Sequence, residues 1–353
     1  MSCKDRADVK IALTTDPELP VPPALYGGIE RIVDLLAWEY VRRGHEVALF
    51  ANAQSTCPVE LIAWPGRDSR RPLDTLRNSL RLTREVLRRR FDVIHSCSRV
   101  AYLTPILALP IPKLMNYHRA VSPRTTALAH RLSRGTLEFS VVGRWMIEAA
   151  PLMGRWHVVP NCVPLSSYRA TLSVPRDAPL VFLGRVEKIK GPHIAIEVAR
   201  RLGRSLVIAG NVPDEHRSWY ETNIVTHVDG KQIRYVGPLN DVLKNELLGQ
   251  AAAFLMPTLV DEAFGLVIAE AMACGTPVIA LRRGATPEVV EHGVTGFVVD
   301  TVDEMVAAVG MIDTISRAAC RKSVERRFSE GAVADGYLAI YESMIARRRK
   351  SEE

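Results

Sequence analysis

Short apolar runs alternate along the chain with longer stretches in which apolar positions recur every three or four residues. This alternation predicts parallel strands joined by right-handed helical crossovers. In the first half the strand-like runs are 10–15, 46–51, 91–97, 113–118, 137–142 and 157–160, with helices over 28–43 and through an arginine-rich stretch. Over 161–179 the periodicity lapses around Pro164, Pro175 and Pro179, and neither a strand nor a long helix can be written through it. The pattern then restarts with runs at 180–183, 206–209, 233–236, 252–256, 278–281 and 297–299, and with a helix after Pro192. Near the end, Leu338, Tyr341, Met344 and Ile345 share one face of a helix over 337–349 whose basic terminus suits a helix C-terminus.

The expected fold class is therefore α/β, with two doubly wound parallel-sheet domains. The expected boundaries are 1–165 for the first, 166–334 for the second, and 335–353 for a terminal helix packed on one of them. A length of 353 residues suits two domains of ordinary size. Ligands of such sheets bind outside the carboxyl ends of the strands, so the chemistry is sought in the loops that follow strands.

Composition narrows the class. Apolar residues make up 47% and charged residues 24%, the balance of a globular protein. No apolar run is long enough to cross a bilayer and the opening residues lack the apolar stretch of a signal peptide, so the expected location is the cytoplasm. The cysteines Cys3, Cys57, Cys97, Cys162, Cys274 and Cys320 are scattered without a metal-binding spacing and read as reduced, mostly buried thiols. A net charge of +7 favours an anionic partner. Much of it lies over 70–90, where arginines interleave with Leu73, Leu76, Leu80 and Leu87. That segment reads first as a core-facing leucine stripe backed by a solvated basic face. The alternative is a helix in peripheral contact with the inner face of a membrane. No aromatic residues interleave with the arginines, so nucleic acid is not an expected partner.

Three loops carry candidate chemistry. After the first strand of the second half, Gly184 permits close backbone approach, Arg185 offers a planar fork to phosphate oxygens, and Lys190 supplies a point charge. Further on, Glu262 and Glu270 bracket Phe264, Gly265 and Leu266, with a helix expected to begin near Phe264. Amides at such a helix start face anions, and a carboxylate beside an anion site needs a neutral, hydroxyl-rich partner such as a sugar or a ribose. In the first half, Gly27 and Gly28 precede an amphipathic helix, and His118 ends a strand where its ring can contact a ligand. Read one at a time, these are a turn glycine pair, solvated loop cations, exposed glutamates and a structural histidine. No Gly-x-Gly-x-x-Gly follows the first strand, which disfavours a nicotinamide enzyme.

Taken together, Arg185 with Lys190, Glu262 with Glu270, Gly27-Gly28 and His118 resemble the retaining glycosyltransferases of family 4, which have the two-lobed GT-B fold. Support comes from the segment 262–277, from 184–191, from Gly44-His45-Glu46-Val47 and from Val158-Val159-Pro160-Asn161. The resemblance implies two Rossmann-like domains facing a central cleft, with the terminal helix crossing back to the first. It further implies that Arg185 and Lys190 bind the donor diphosphate, with Gly28 adding a backbone contact. Glu262 would hold hydroxyls of the transferred sugar, Glu270 the ribose, and His118 would lie against the donor sugar. Neither a metal nor another cofactor is implied, and no Asp-x-Asp motif is present. The implied partners are a nucleotide sugar, UDP preferred to GDP, and a hydroxyl of a glycan, lipid-linked or small-molecule acceptor. The oligomeric state is left open. The chain departs from the family pattern at Asn161-Cys162-Val163-Pro164, at Gly143 and at Arg119. A nucleotide-sugar epimerase of the same fold and a non-catalytic nucleotide-sugar-binding protein are the alternative readings.

Overall fold

Strands flanked by helices on both faces can be apolar throughout, and the runs picked out above become such strands. The computed structural model describes residues 8–24, 27–148 and 152–352. Cys3, Leu25 and Tyr26 lie outside the described residues. The chain forms two units, one reaching to Asn161 and resuming at Glu330, the other spanning Cys162–Ser329.

In the first unit β1 (Lys10–Thr14), β2 (Glu46–Ala51), β3 (Glu60–Ala63), β4 (Val93–Ser96), β5 (Lys113–Tyr117), β6 (Leu137–Val141) and β7 (Trp156–Val158) make one sheet. Its order is β3-β2-β1-β4-β5-β6-β7 and every pairing is parallel. The helices α1 (Gly28–Arg42), α2 (Pro72–Arg89), α3 (Pro123–Leu132) and α4 (Trp145–Glu148) connect the strands. β3 has no counterpart in the hydropathy pattern, because a short edge strand with only Ile62 fully buried leaves little apolar signal.

Helix α2 corrects the sequence reading. Leu73, Leu76, Leu80 and Leu87 are 68%, 53%, 57% and 61% exposed, while Asn78, Ser79, Leu82, Glu85 and Val86 face inward. Polar contacts set this phase: Gly66 N donates to Asn78 Oδ1 at 2.8 Å, and Ser79 Oγ donates to the Ala101 carbonyl at 3.1 Å. Leu82 and Val86 then reach the aromatic core of Phe50, Trp64, Phe91 and Tyr102.

The second unit holds β8 (Leu180–Leu183), β9 (Leu206–Ala209), β10 (Ile233–Tyr235), β11 (Ala253–Met256), β12 (Val278–Leu281) and β13 (Gly296–Val299) in the parallel order β10-β9-β8-β11-β12-β13. Around the sheet lie α5 (Pro192–Arg201), α6 (Arg217–Asn223), α7 (Asp241–Gln250), α8 (Leu266–Ala273), α9 (Thr286–Val289), α10 (Val302–Gly310) and α11 (Arg317–Arg327). Last comes α12 (Glu330–Glu352), which belongs to the first unit. There the Tyr341 hydroxyl lies 3.1 Å from that of Tyr40 on α1, and Arg43 pairs with Asp335 at 3.0 Å. The five described cysteines are buried, and none of them forms a disulfide.

Candidate functional site

In a doubly wound sheet the crossovers leave in opposite directions at one point of the strand order, and the loops part there to leave a crevice. In the second sheet this point falls between β8 and β11. The loops that flank it carry Gly184 to Lys190 on one side and Glu262 to Leu266 on the other.

A glycine brings the two loops together. Gly191 adopts φ 77°, and a Cβ there would fall 2.1 Å from the Pro257 carbonyl oxygen. Only a residue without a side chain permits that approach. The backbone bond from Leu259 N to the Ile189 carbonyl, 2.8 Å, fixes the register of the contact. Lys190 Nζ consequently donates directly to Glu262 Oε1, an oxygen that also accepts from Thr258 Oγ1 at 3.4 Å. Both side chains keep some contact with solvent, 20% for Lys190 and 15% for Glu262. Glu262 is held from behind, since its carbonyl accepts from Ala285 N at 2.9 Å and Gly284 N donates to Asp261 Oδ1 at 2.9 Å.

Arg185 follows Gly184 in the same loop. Its Nη2 lies 2.8 Å from Glu187 Oε1, while His216 Nε2 lies 3.0 Å from Glu187 Oε2. Glu187 is buried and Arg185 is 42% exposed, so the carboxylate orients a guanidinium whose far side faces water. Gly265, at φ 82°, caps α8, which starts at Leu266, close to the expected start near Phe264. The first amides of a helix have no intrahelical partner and carry its positive end. Phe264 turns its ring inward against Phe328, 5.2 Å between centroids, and leaves its backbone to the loop.

Glu270, further along α8, belongs to a separate cluster. Its Oε1 accepts from the Tyr168 hydroxyl at 2.8 Å and from Lys244 Nζ at 2.7 Å. Lys244 also sits 5.4 Å from the centre of the Tyr168 ring. The two partners come from outside the motif, on α7 and in the segment after Asn161, and spacing along the chain gives no sign of them. Glu187 lies within the 184–191 segment, where a carboxylate between two cations was the available signal.

The first sheet changes direction between β1 and β4. Thr14 Oγ1 there meets Ser96 Oγ at 3.0 Å and Ser98 Oγ at 2.7 Å. Beyond β1, Asp16 pairs with Arg119 at 3.3 Å. Burial raises the pKa of Asp16 and of Glu30, which lies in the first turn of α1. These carboxylates were not among the expected site residues. An acidic residue directly after the first strand was the signal. Gly27 caps α1, where a Cβ would fall 2.8 Å from the Pro23 ring and 2.9 Å from the Glu30 carboxylate, and Gly28 opens the helix.

His118, just past β5, accepts at Nε2 from Asn116 Nδ2 at 3.0 Å, and the same amide nitrogen donates to the Tyr337 hydroxyl at 2.7 Å. Burial, reinforced by the Arg119 charge, pushes the His118 pKa down to about 4. The ring is thus neutral near pH 7, with its proton on Nδ1. His95 on β4, pushed by burial to about 3, lies 2.6 Å from the Tyr341 hydroxyl. The structure therefore brings Arg185, Lys190, Glu262, Gly184, Gly265 and Leu266 to one switch point. Glu270 stands apart on α8, while in the first unit Gly27 and Gly28 lie at the start of α1 and His118 directly after β5. No group of three or more His, Cys, Asp or Glu side chains among the described residues could hold a metal ion.

A family model described as Glycosyltransferase Family 4 matches residues 26–167, and one described as Glycosyl transferases group 1 matches residues 169–331. The chain is 30% identical over 223 residues to a D-inositol 3-phosphate glycosyltransferase of Xylanimonas cellulosilytica, covering 56% of this chain and 53% of that protein. It spans about half the length of the curated relatives it matches. Among solved structures it is similar to AviGT4, a glycosyltransferase involved in avilamycin A biosynthesis, with a TM-score of 0.72 at 22% identity, over 96% of this chain and 98% of that one. It is also similar to Anabaena HepE in complex with UDP and glucose, with a TM-score of 0.69 at 19% identity, over 95% and 100% of the two chains. These structural likenesses establish the fold, two Rossmann-like units of the GT-B class.

Proposed function

We infer, since this chain belongs to the family 4, group 1 glycosyltransferases, that it moves a hexosyl group from a nucleoside diphosphate sugar to an acceptor hydroxyl with retention of anomeric configuration. The observation that carries this reading is the contact between Lys190 and Glu262 at the switch point of the second sheet, with Arg185 presented beside it by Glu187. Cations there meet the diphosphate, and a carboxylate beside them accepts hydrogen bonds from the hydroxyls of the transferred sugar.

In the reaction the acceptor oxygen bonds to the anomeric carbon on the face from which the diphosphate departs. The bond from that carbon to the phosphate oxygen breaks, and the hydroxyl proton passes to the departing phosphate. Positive charge develops on the sugar and negative charge on the leaving group, so the work of the protein is positioning and electrostatic stabilisation. Arg185 and Lys190 stabilise the leaving group in place of a metal. The start of α8, from Gly265 to Leu266, adds its positive end, and Gly184 lets the backbone approach. Glu270, braced by Tyr168 and Lys244, holds the ribose. From the first unit the proposal takes the backbone at Gly27 and Gly28 for the diphosphate. Neutral His118 serves the donor sugar. A UDP-sugar is preferred to a GDP-sugar, in keeping with the UDP bound by Anabaena HepE. The acceptor is a hydroxyl of a glycan, a lipid-linked sugar or a small molecule.

The test screens UDP-, GDP- and dTDP-sugars by thermal shift, then analyses products with acceptors of each class. A ligand at about a hundred times its Kd stabilises the folded state by about 2.7 kcal/mol, an easily read shift. The expected result is a UDP-sugar response, followed by release of UDP with an enlarged acceptor whose new glycosidic bond keeps the donor's anomeric configuration, at a rate insensitive to EDTA. An altered nucleotide sugar without an acceptor product, or binding without turnover, overturns the reading.

A further inference from the structure

Helix α2 presents two exposed stripes side by side. At the helical repeat, Leu73, Leu76, Leu80 and Leu87 fall within an arc of about 60° and span about 21 Å of the axis. Arg77, Arg81, Arg84 and Arg88 fall within the adjoining arc of about 60°. The leucines are all more than half exposed. Arg77 and Arg88 are 64% and 59% exposed. The helix and the residue after it hold six arginines against Asp74 and Glu85.

Glu85 anchors part of the basic stripe. Buried beneath the helix, it pairs with Arg81 at 3.4 Å, Arg88 at 2.8 Å and Arg89 at 2.8 Å. Two members of the stripe, Arg81 and Arg88, are thereby held beside Glu85, and Arg77 pairs with Asp74 at 3.5 Å, while the leucines stay uncovered. Burying such a stripe on folding would have been the ordinary outcome for an amphipathic helix, and here the inward face is instead Asn78, Ser79, Leu82, Glu85 and Val86.

We propose that the exposed leucine–arginine face of α2 docks the protein onto an anionic phospholipid surface, with the leucines in the acyl boundary and the arginines on the lipid phosphates. A single convex helix offers no pocket for a partner's side chain. A flat interface asks only for apolar groups at one depth and cations beside them, which this face supplies. Charge complementarity selects the anionic leaflet, and the net charge of +7 acts in the same direction. The contact lies on the membrane, since no helix among the described residues is long and apolar enough to cross one. The proposal does not depend on the glycosyl-transfer reading.

The test is flotation of the full chain with vesicles of phosphatidylcholine containing roughly one-third phosphatidylglycerol, against vesicles of phosphatidylcholine alone. Binding is expected to the anionic vesicles and to fall sharply between about 0.1 M and about 1 M salt, as the screening length shrinks from about 10 Å to about 3 Å. Arg77→Gln with Arg84→Gln should weaken it by about twenty-five-fold, roughly fivefold per cation. Leu76→Gln with Leu80→Gln should weaken it by at least about tenfold. These side chains are exposed, so both variants should keep the parent's unfolding midpoint. Four results each overturn the proposal. They are absence of binding, equal binding to neutral vesicles, full binding by the leucine variant, and a parent dimer in sedimentation that the leucine variant dissolves.

Discussion

Lys190→Met separates the two roles that the contact with Glu262 assigns to one ammonium group. Without a ligand, the lysine offsets the charge of a carboxylate that is only 15% exposed. Two unit charges about 4 Å apart attract by about 1 kcal/mol in water and about 4 kcal/mol at the effective dielectric of a protein surface. A pair that keeps some solvent contact lies toward the lower end, so the substitution should cost about 1–2 kcal/mol of stability. Against a departing diphosphate the same charge faces a stronger, still developing anion. Its loss should raise the barrier by about 2–4 kcal/mol, which is roughly a thirtyfold to thousandfold fall in kcat/KM. Glu262→Gln acts in the opposite sense on nucleotide binding. It releases Lys190 to the diphosphate, so UDP should bind a few-fold more tightly while turnover falls with the loss of the charged sugar contact. The double variant should recover most of the stability and none of the turnover. Urea denaturation, calorimetric titration with UDP and a coupled assay of UDP release read the three quantities. These roles are refuted if Lys190→Met keeps kcat/KM within about threefold of the parent, or if Glu262→Gln weakens UDP as much as Lys190→Met does.

Glu270→Gln should lower affinity for uridine about tenfold while leaving pyrophosphate binding unchanged, as measured by competition. An equal loss for both ligands would place Glu270 at the phosphates instead. Gly191→Ala should cost at least about 2 kcal/mol, because a left-handed backbone alone costs an alanine about 1–2 kcal/mol and its Cβ would also meet the Pro257 carbonyl oxygen at 2.1 Å. A urea midpoint within experimental error of the parent's would contradict that contact. Finally, His118 and His95 have folded pKa values near 4 and 3, below the unfolded value of about 6.5. Between these limits the unfolded chain binds protons that the folded chain refuses. Stability should therefore fall as pH drops from about 6.5 toward 4, by up to about 1.4 kcal/mol per pH unit for each histidine. Replacing His118 with Asn should flatten that slope, and an unchanged slope would refute the assignment.

Hydropathy carried the parallel strands because a strand covered on both faces has no polar positions to blur it. β1, β2, β8 and β12 are read directly from their apolar runs. The same signal fails where burial is partial, as in β3, whose Glu60 and Ala63 are exposed. It fails differently at α2. Period alone puts leucines on one face, but the hydrogen bonds of Asn78 and Ser79 decide which face turns inward. At the site, Gly184, Arg185, Lys190, Glu262 and Gly265 were legible because they follow strands. Their partners were not, since Tyr168 and Lys244 reach Glu270 from elsewhere in the chain, and His216 reaches Glu187 from the segment after the neighbouring strand β9.

The site cations of the second unit each rest on a carboxylate, but the pairs differ in what they allow. Glu187 is buried, with Arg185 on one oxygen and His216 beside the other, so moving it would leave a charge in the interior. That pair is built to persist, and it holds the guanidinium in place before any anion arrives. Glu262 is more open, on a loop, and shares its oxygen with only the weak Thr258 contact besides Lys190. Its pair can part at modest cost. A donor carrying both a diphosphate and a hydroxyl-rich sugar gives each member of the pair a new partner at the same moment. A ligand with only one of those groups satisfies one member and strands the other. Preference for a whole nucleotide sugar over its fragments follows from that exchange, with Arg185 supplying the fixed point around which it occurs.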